Sequence, residues 1–92
     1  MNRPDPWRSD DVDRSLEGTL WRREGTSLVY ERECASFVDA IAFVNQVAEL
    51  AEAENHHPDI EISWRTVRLR LTTHQINGLS MRDAQFVEKM DF

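Results

Sequence analysis

The stretch 60–73 narrows the fold more than any other part of this 92-residue chain. Ile60, Ile62 and Trp64 alternate with Glu61 and Ser63, and Val67, Leu69 and Leu71 alternate with Arg68 and Arg70. Alternation with period two is the mark of strands with one buried face. A turn centred between Arg65 and Thr66 pairs Trp64 with Val67, Ile62 with Leu69 and Ile60 with Leu71. Every apolar residue then faces one side, while Glu61 meets Arg70 on the other. Extended one step, the same register sets His57 opposite His74, with Cα atoms roughly 5 Å apart.

A hairpin with one apolar face needs a partner layer. The segment 18–23 reads as a short strand, Gly25 as a turn, and 27–34, with Leu28, Val29 and Tyr30, as a second strand. Ser36 with Asp39 three residues later reads as a helix start. Two apolar stripes follow at helical spacing: Phe37, Ile41, Val44, Ala48 and Ala51, then Ala40, Phe43, Val47 and Leu50. Together they predict a broad apolar face that covers a sheet. Pro58 ends this helix. Ser80 and Asp83 repeat the capping pattern before a last helix with Ala84, Phe86, Val87 and Met90 on its inner side. The expected class is α+β, in the order α-β-β-α-β-β-α, with an antiparallel sheet backed by helices.

The length fits one domain spanning 1–92. Residues 1–13 are polar, contain Pro4 and Pro6, and read as a loose arm leading into a short helix. A net charge of −6 argues against a nucleic-acid binder. No stretch approaches the ~18 apolar residues of a membrane span, and no signal peptide is visible. The single cysteine, Cys34, cannot form an internal disulfide, which fits a reducing compartment. The expectation is a cytoplasmic protein.

The chain has 3 histidines, His56, His57 and His74, and the patterns above gather them in one neighbourhood. Their ordinary pKa lets each ring give or take a proton near neutrality. Proton chemistry is the first reading and a zinc site the rival. Adjacent histidines project differently, whereas metal-binding helices space ligands by three or four residues, which weakens the rival. Glu52, one helical turn before His56, reads either as its orienting partner or as a solvated glutamate. Asp83 reads as a helix cap or as a site residue. Trp21 and Trp64 read as core on pattern alone, and nothing near Cys34 marks it as a nucleophile.

Taken together these residues resemble a known signature. Glu52, three residues, His56-His57-Pro58, five residues, Trp64, nine residues, His74, eight residues, Asp83 is similar to the pattern of the pterin-4a-carbinolamine dehydratases. The run 73–83, Thr-His-Gln-Ile-Asn-Gly-Leu-Ser-Met-Arg-Asp, also resembles that family, as do 40–44 and Val47-Ala48. The resemblance spans about Leu16 to Asp91.

The resemblance implies a four-stranded antiparallel sheet with three helices, assembled as a homodimer or homotetramer. It implies dehydration of 4a-hydroxytetrahydrobiopterin, the product left by aromatic amino-acid hydroxylases, to quinonoid dihydropterin in tetrahydrobiopterin recycling. No metal or organic cofactor is implied. His56 and His74 match the acid/base pair, with Glu52 tuning His56. His57, Trp21 and Asp83 match substrate-site positions. Asn55 departs from the pattern, standing where one well-known member has aspartate. Some relatives of this kind act instead as dimerisation cofactors of a transcription factor or as assembly factors, so a non-enzymatic interaction protein on the same fold is the alternative.

Overall fold

A computed structural model describes residues 4–92. It contains α1 (Ser9–Leu16), β1 (Trp21–Glu24), β2 (Ser27–Glu33), α2 (Phe37–Glu54), β3 (Asp59–Ser63), β4 (Thr66–Leu71), a 3₁₀ turn (His74–Ile76) and α3 (Met81–Lys89). The sheet is antiparallel throughout, in the order β1-β2-β4-β3. This is the expected α+β order. Among the described residues no helix is long and apolar enough to cross a membrane.

The register of the second hairpin differs from the expected one. Ile62 faces Val67, Ile60 faces Leu69 and Ser63 faces Thr66, so the loop is Trp64-Arg65. Glu61 therefore meets Arg68, and Asp59 meets Arg70. A slip of two leaves every side chain on its expected face, because the side-chain period is two. Continued past β3, this register would set His57 against Thr72, so strand pairing does not bring His57 to His74.

Both hairpins close through two-residue loops whose first residue has positive φ: Gly25 at 62° and Trp64 at 54°. Tight hairpin loops need such backbone to follow the strand twist. Trp64 is consequently carried outward. It is 72% exposed, with the Arg65 guanidinium 4.9 Å from its ring centroid, rather than in the core.

On the inner face Trp21, Leu28, Tyr30, Val67, Leu69 and Leu71 pack against Ala40, Phe43, Val47 and Ala51 of α2 and Phe86 of α3. Tyr30 and Phe43 stack with ring centroids 5.8 Å apart. Only one of the two apolar stripes of α2 is fully used. Phe37 (51% exposed), Val38 (75%) and Ile41 (37%) point away from the sheet. The expected broad face is thus split between core and surface.

The described part of the N-terminal segment is not a loose arm. Trp7 N–H donates to the Leu79 carbonyl and Met81 N–H donates to the Asp5 carbonyl, each at 2.9 Å. Pro6 bridges Ser80, and Trp7, Val12 and Leu16 are buried. Prolines suit such an edge segment, which needs few amide donors. Residues 1–3 lie outside the described residues.

Candidate active site

α2 ends in a left-handed turn that decides where the first two histidines go. Asn55 has φ 48°, its N–H donates to the Glu52 carbonyl, and His56 N–H donates to the Ala51 carbonyl. This is a Schellman closure, and asparagine accepts its left-handed position better than most residues. The residue that departs from the family pattern therefore has a backbone role. The turn sends consecutive rings apart: His56 is buried and His57 exposed.

His56 Nε2 lies 2.6 Å from Asp83 Oδ1. Asp83 sits in the first turn of α3, fully buried, where a negative charge is favoured by the helix dipole. Its Oδ2 accepts from Thr73 Oγ1 at 2.7 Å and from Ser80 N–H at 2.8 Å. The capping box is present, so the cap reading holds, and the same carboxylate also contacts His56. Below this pair, Phe86 meets the His56 ring edge-on at 6.4 Å.

Glu52 does not reach His56. Its Oε2 lies 2.5 Å from His57 Nε2, in an exposed pair. Helical i,i+4 geometry no longer applies once the chain leaves the helix at Asn55. His74 begins the 3₁₀ turn, exposed, and its side chain has no partner among the described residues. Arg82, from α3, donates to the Asn55 carbonyl and, at 3.4 Å, to Gln75 Oε1, tying the histidine turn to the 3₁₀ turn.

Asn55, His56, His57, Thr72, Thr73, His74, Gln75 and Arg82 line one open cleft of about 270 Å³. All three histidines thus meet, through the Schellman turn and the 3₁₀ turn. A larger groove between α1 and α3, lined by Trp7, Met81, Ala84 and Val87 among others, contains no histidine. Among the described residues no three His, Cys, Asp or Glu side chains converge as metal ligands. Trp21, expected against the substrate, is buried instead between Tyr30 and Phe86 and does not line the cleft. Asp83 lies beneath the lining, touching His56 rather than the cleft.

Two groups escaped the sequence reading. Thr73 was hidden as a strand-end residue, although the Ser80–Asp83 capping pattern already aimed Asp83 back toward that region. Arg82 carried no distinguishing signal. What the arrangement offers chemically is one ring held by a buried carboxylate, one held by an exposed carboxylate and one unpartnered, all beside a cation.

The family described as Pterin 4 alpha carbinolamine dehydratase matches residues 5–92. The chain belongs to that family. It is similar to a Roseiflexus sp. (strain RS-1) protein named "Putative pterin-4-alpha-carbinolamine dehydratase", with 48% identity over 73 residues, covering 79% of this chain and 78% of that one. A protein of the same name from Mycolicibacterium smegmatis is 39% identical over 84 residues, 90% of this chain and 89% of its own. Among solved structures, a transcriptional coactivator/pterin dehydratase from Brucella melitensis shares the fold. Its TM-score is 0.84 at 23% identity, covering 95% of this chain and 96% of that one. A pterin dehydratase-like protein described as a RuBisCO assembly factor in the alpha-carboxysome matches with TM-score 0.65 at 21% identity, over 78% of this chain and 86% of its own.

Proposed function

We propose that this protein dehydrates a 4a-hydroxytetrahydropterin to the quinonoid dihydropterin by histidine acid/base catalysis, as in tetrahydrobiopterin recycling. The observation that carries the reading is that His56 and His74 line one cleft while differing in environment. The substrate bears a hydroxyl on C4a beside N5–H. Loss of water requires a proton for the leaving hydroxyl and removal of the N5 proton, and each transfer is worth on the order of 10²–10⁴ in rate. One histidine protonates the hydroxyl and the other accepts the N5 proton. No redox change is involved.

His57, steadied by Glu52, contacts the pterin at the rim. Asp83 positions His56. Trp21 acts from below, through the packing of Phe86 against His56. The reaction calls on no metal or organic cofactor, and the proposed setting is the cytoplasm.

The test is dehydration of a synthetic 4a-hydroxytetrahydropterin by the purified protein. The wild type should exceed the uncatalysed rate, and His56→Ala and His74→Ala should each lose on the order of 10²-fold or more. A wild type no faster than the double variant would sink the enzyme reading.

The exposed Phe37, Val38 and Ile41 support a second reading, a contact surface on α2. Its proposed use is assembly into a homodimer or homotetramer. Light scattering that finds a monomer unchanged by Phe37→Glu would remove it. A purely non-enzymatic interaction role would instead leave dehydration absent while the oligomer or complex persists.

A further inference from the structure

The hydrogen bonds around Asp83 have a direction that can be read from their donors. Ser80 Oγ accepts the Arg82 N–H at 3.1 Å, which leaves its own hydroxyl proton to donate. Thr73 Oγ1 lies 2.7 Å away and takes that proton. Thr73 then donates its own hydroxyl to Asp83 Oδ2 at 2.7 Å, beside the Ser80 N–H on the same oxygen. The hydroxyl chain thus ends at the carboxylate, and one Asp83 oxygen holds two donors, the Thr73 hydroxyl and the Ser80 N–H, in a fully buried setting. Such donors favour the ionised form.

An ionised carboxylate only accepts. The proton in the 2.6 Å contact between Asp83 Oδ1 and His56 Nε2 therefore belongs to the histidine. In a neutral ring the other nitrogen is then bare. Among the described residues Nδ1 has no protein partner and no buried side-chain nitrogen or oxygen lacks one, so Nδ1 is open toward the cleft that His56 lines.

We propose that the Ser80–Thr73–Asp83 chain fixes His56 as the Nε2–H tautomer and makes Nδ1 its proton-exchanging atom, with Thr73 as the positioning residue. The inference deepens the dehydratase reading and rests on it for the identity of the substrate, but not for the tautomer. The other charged or titratable groups around His56 are His57 with Glu52 at the helix exit, Arg82 on α3 and His74 on the 3₁₀ turn. β4 and its exit contribute only the uncharged Thr72 and Thr73, and Phe86 closes the underside.

Nitrogen NMR of the full chain labelled at histidine reads this directly. In the wild type, the neutral His56 ring should carry its proton on Nε2, with Nδ1 bare. Thr73→Val keeps the shape of the side chain but removes the hydroxyl. Asp83 then loses a donor that favours its ionised, accept-only form, so the Nδ1–H tautomer of His56 should gain population at the expense of Nε2–H. Thr73→Ser, which keeps the hydroxyl and loses the methyl, should keep the wild-type tautomer ratio. A packing role for Thr73 predicts the opposite ranking, with Val benign and Ser disruptive.

Finding the wild-type proton on Nδ1 overturns the proposal, whether or not either variant folds. So does a Thr73→Val protein whose His56 tautomer ratio matches wild type. An inactive wild type with the expected tautomer, and with the expected tautomer change in Thr73→Val, removes the dehydratase reading while upholding the assignment.

Discussion

Replacing Asp83 by asparagine changes one atom of the side chain and tests most of the reasoning about the site. Asp83 is fully buried and is met by His56 Nε2, Thr73 Oγ1 and the Ser80 N–H. Asparagine can keep its carbonyl toward Thr73 and Ser80, where acceptors are needed. Its amide then faces His56 and donates to Nε2, so the ring must place its own proton on Nδ1, the wrong nitrogen for a base in the cleft. Hydrogen bonds to a charged group contribute about 1.5–3 kcal/mol and neutral ones about 0.5–1.5 kcal/mol. Three bonds weakened by about 1 kcal/mol each, partly offset by the lower cost of burying a neutral amide, leave a loss of about 2 kcal/mol. In a domain of this size that lowers Tm by roughly 8–16 °C. Urea unfolding followed by circular dichroism, at fixed protein concentration, measures the first effect. Dehydration kinetics measure the second, with kcat expected to fall on the order of 10²–10⁴ at nearly unchanged KM. An Asp83→Asn protein within about 0.5 kcal/mol of wild type, a threshold set by ordinary surface changes, and with full kcat would refute this account.

Other substitutions separate chemistry from stability. His74→Ala should abolish most turnover yet move unfolding by no more than about 0.5 kcal/mol, because the ring is exposed and unpartnered. Glu52→Gln should raise KM with little change in Tm, since an exposed pair contributes at most about 1 kcal/mol; an unchanged KM would remove Glu52 from the site. Trp64→Gly should leave Tm unchanged or slightly higher, because glycine adopts a φ of 54° freely whereas tryptophan is strained there. Burial pushes the Tyr30 hydroxyl above its usual 10.0, opposed in part by Arg32. A raised acid is stabilising below the unfolded pKa and loses that contribution as pH rises through the folded one, so stability should fall in the alkaline limb above 10.0. Tyr30→Phe should flatten that limb in unfolding measured against pH.

The faces of the strands, the order of elements and both helix starts were legible because each rests on a local period or cap. The register was not, because a shift of two preserves every face and only the loop geometry breaks the tie. In the first hairpin Gly25 announces that geometry. In the second, Trp64 fills the equivalent place, and an aromatic residue normally argues for strand. The histidines were legible as a group, yet their partners were exchanged. Glu52 is close to His56 in sequence, but the Schellman turn gives it His57, and His56 is met by a carboxylate 27 positions away. The N-terminal segment misled through its prolines, whose lack of N–H suits an edge as well as an arm.

The buried pairing of His56 with Asp83 has an evolutionary consequence. It joins the exit of α2 to the start of α3; among the described residues the other polar ties between these segments are Arg82 to the Asn55 carbonyl and, from the far end of α3, Lys89 to Glu54. Removing one partner of a buried hydrogen bond to a charged group costs about 1.5–3 kcal/mol, a sizeable share of the stability a domain this small possesses. A descendant that abandoned the chemistry and kept the fold could lose His57 and His74 to drift at little cost. Losing His56 or Asp83 singly would cost it far more. Retention of that pair alone in a relative would therefore record ancestry and architecture, and only the exposed histidines would report whether the lineage still handles substrate.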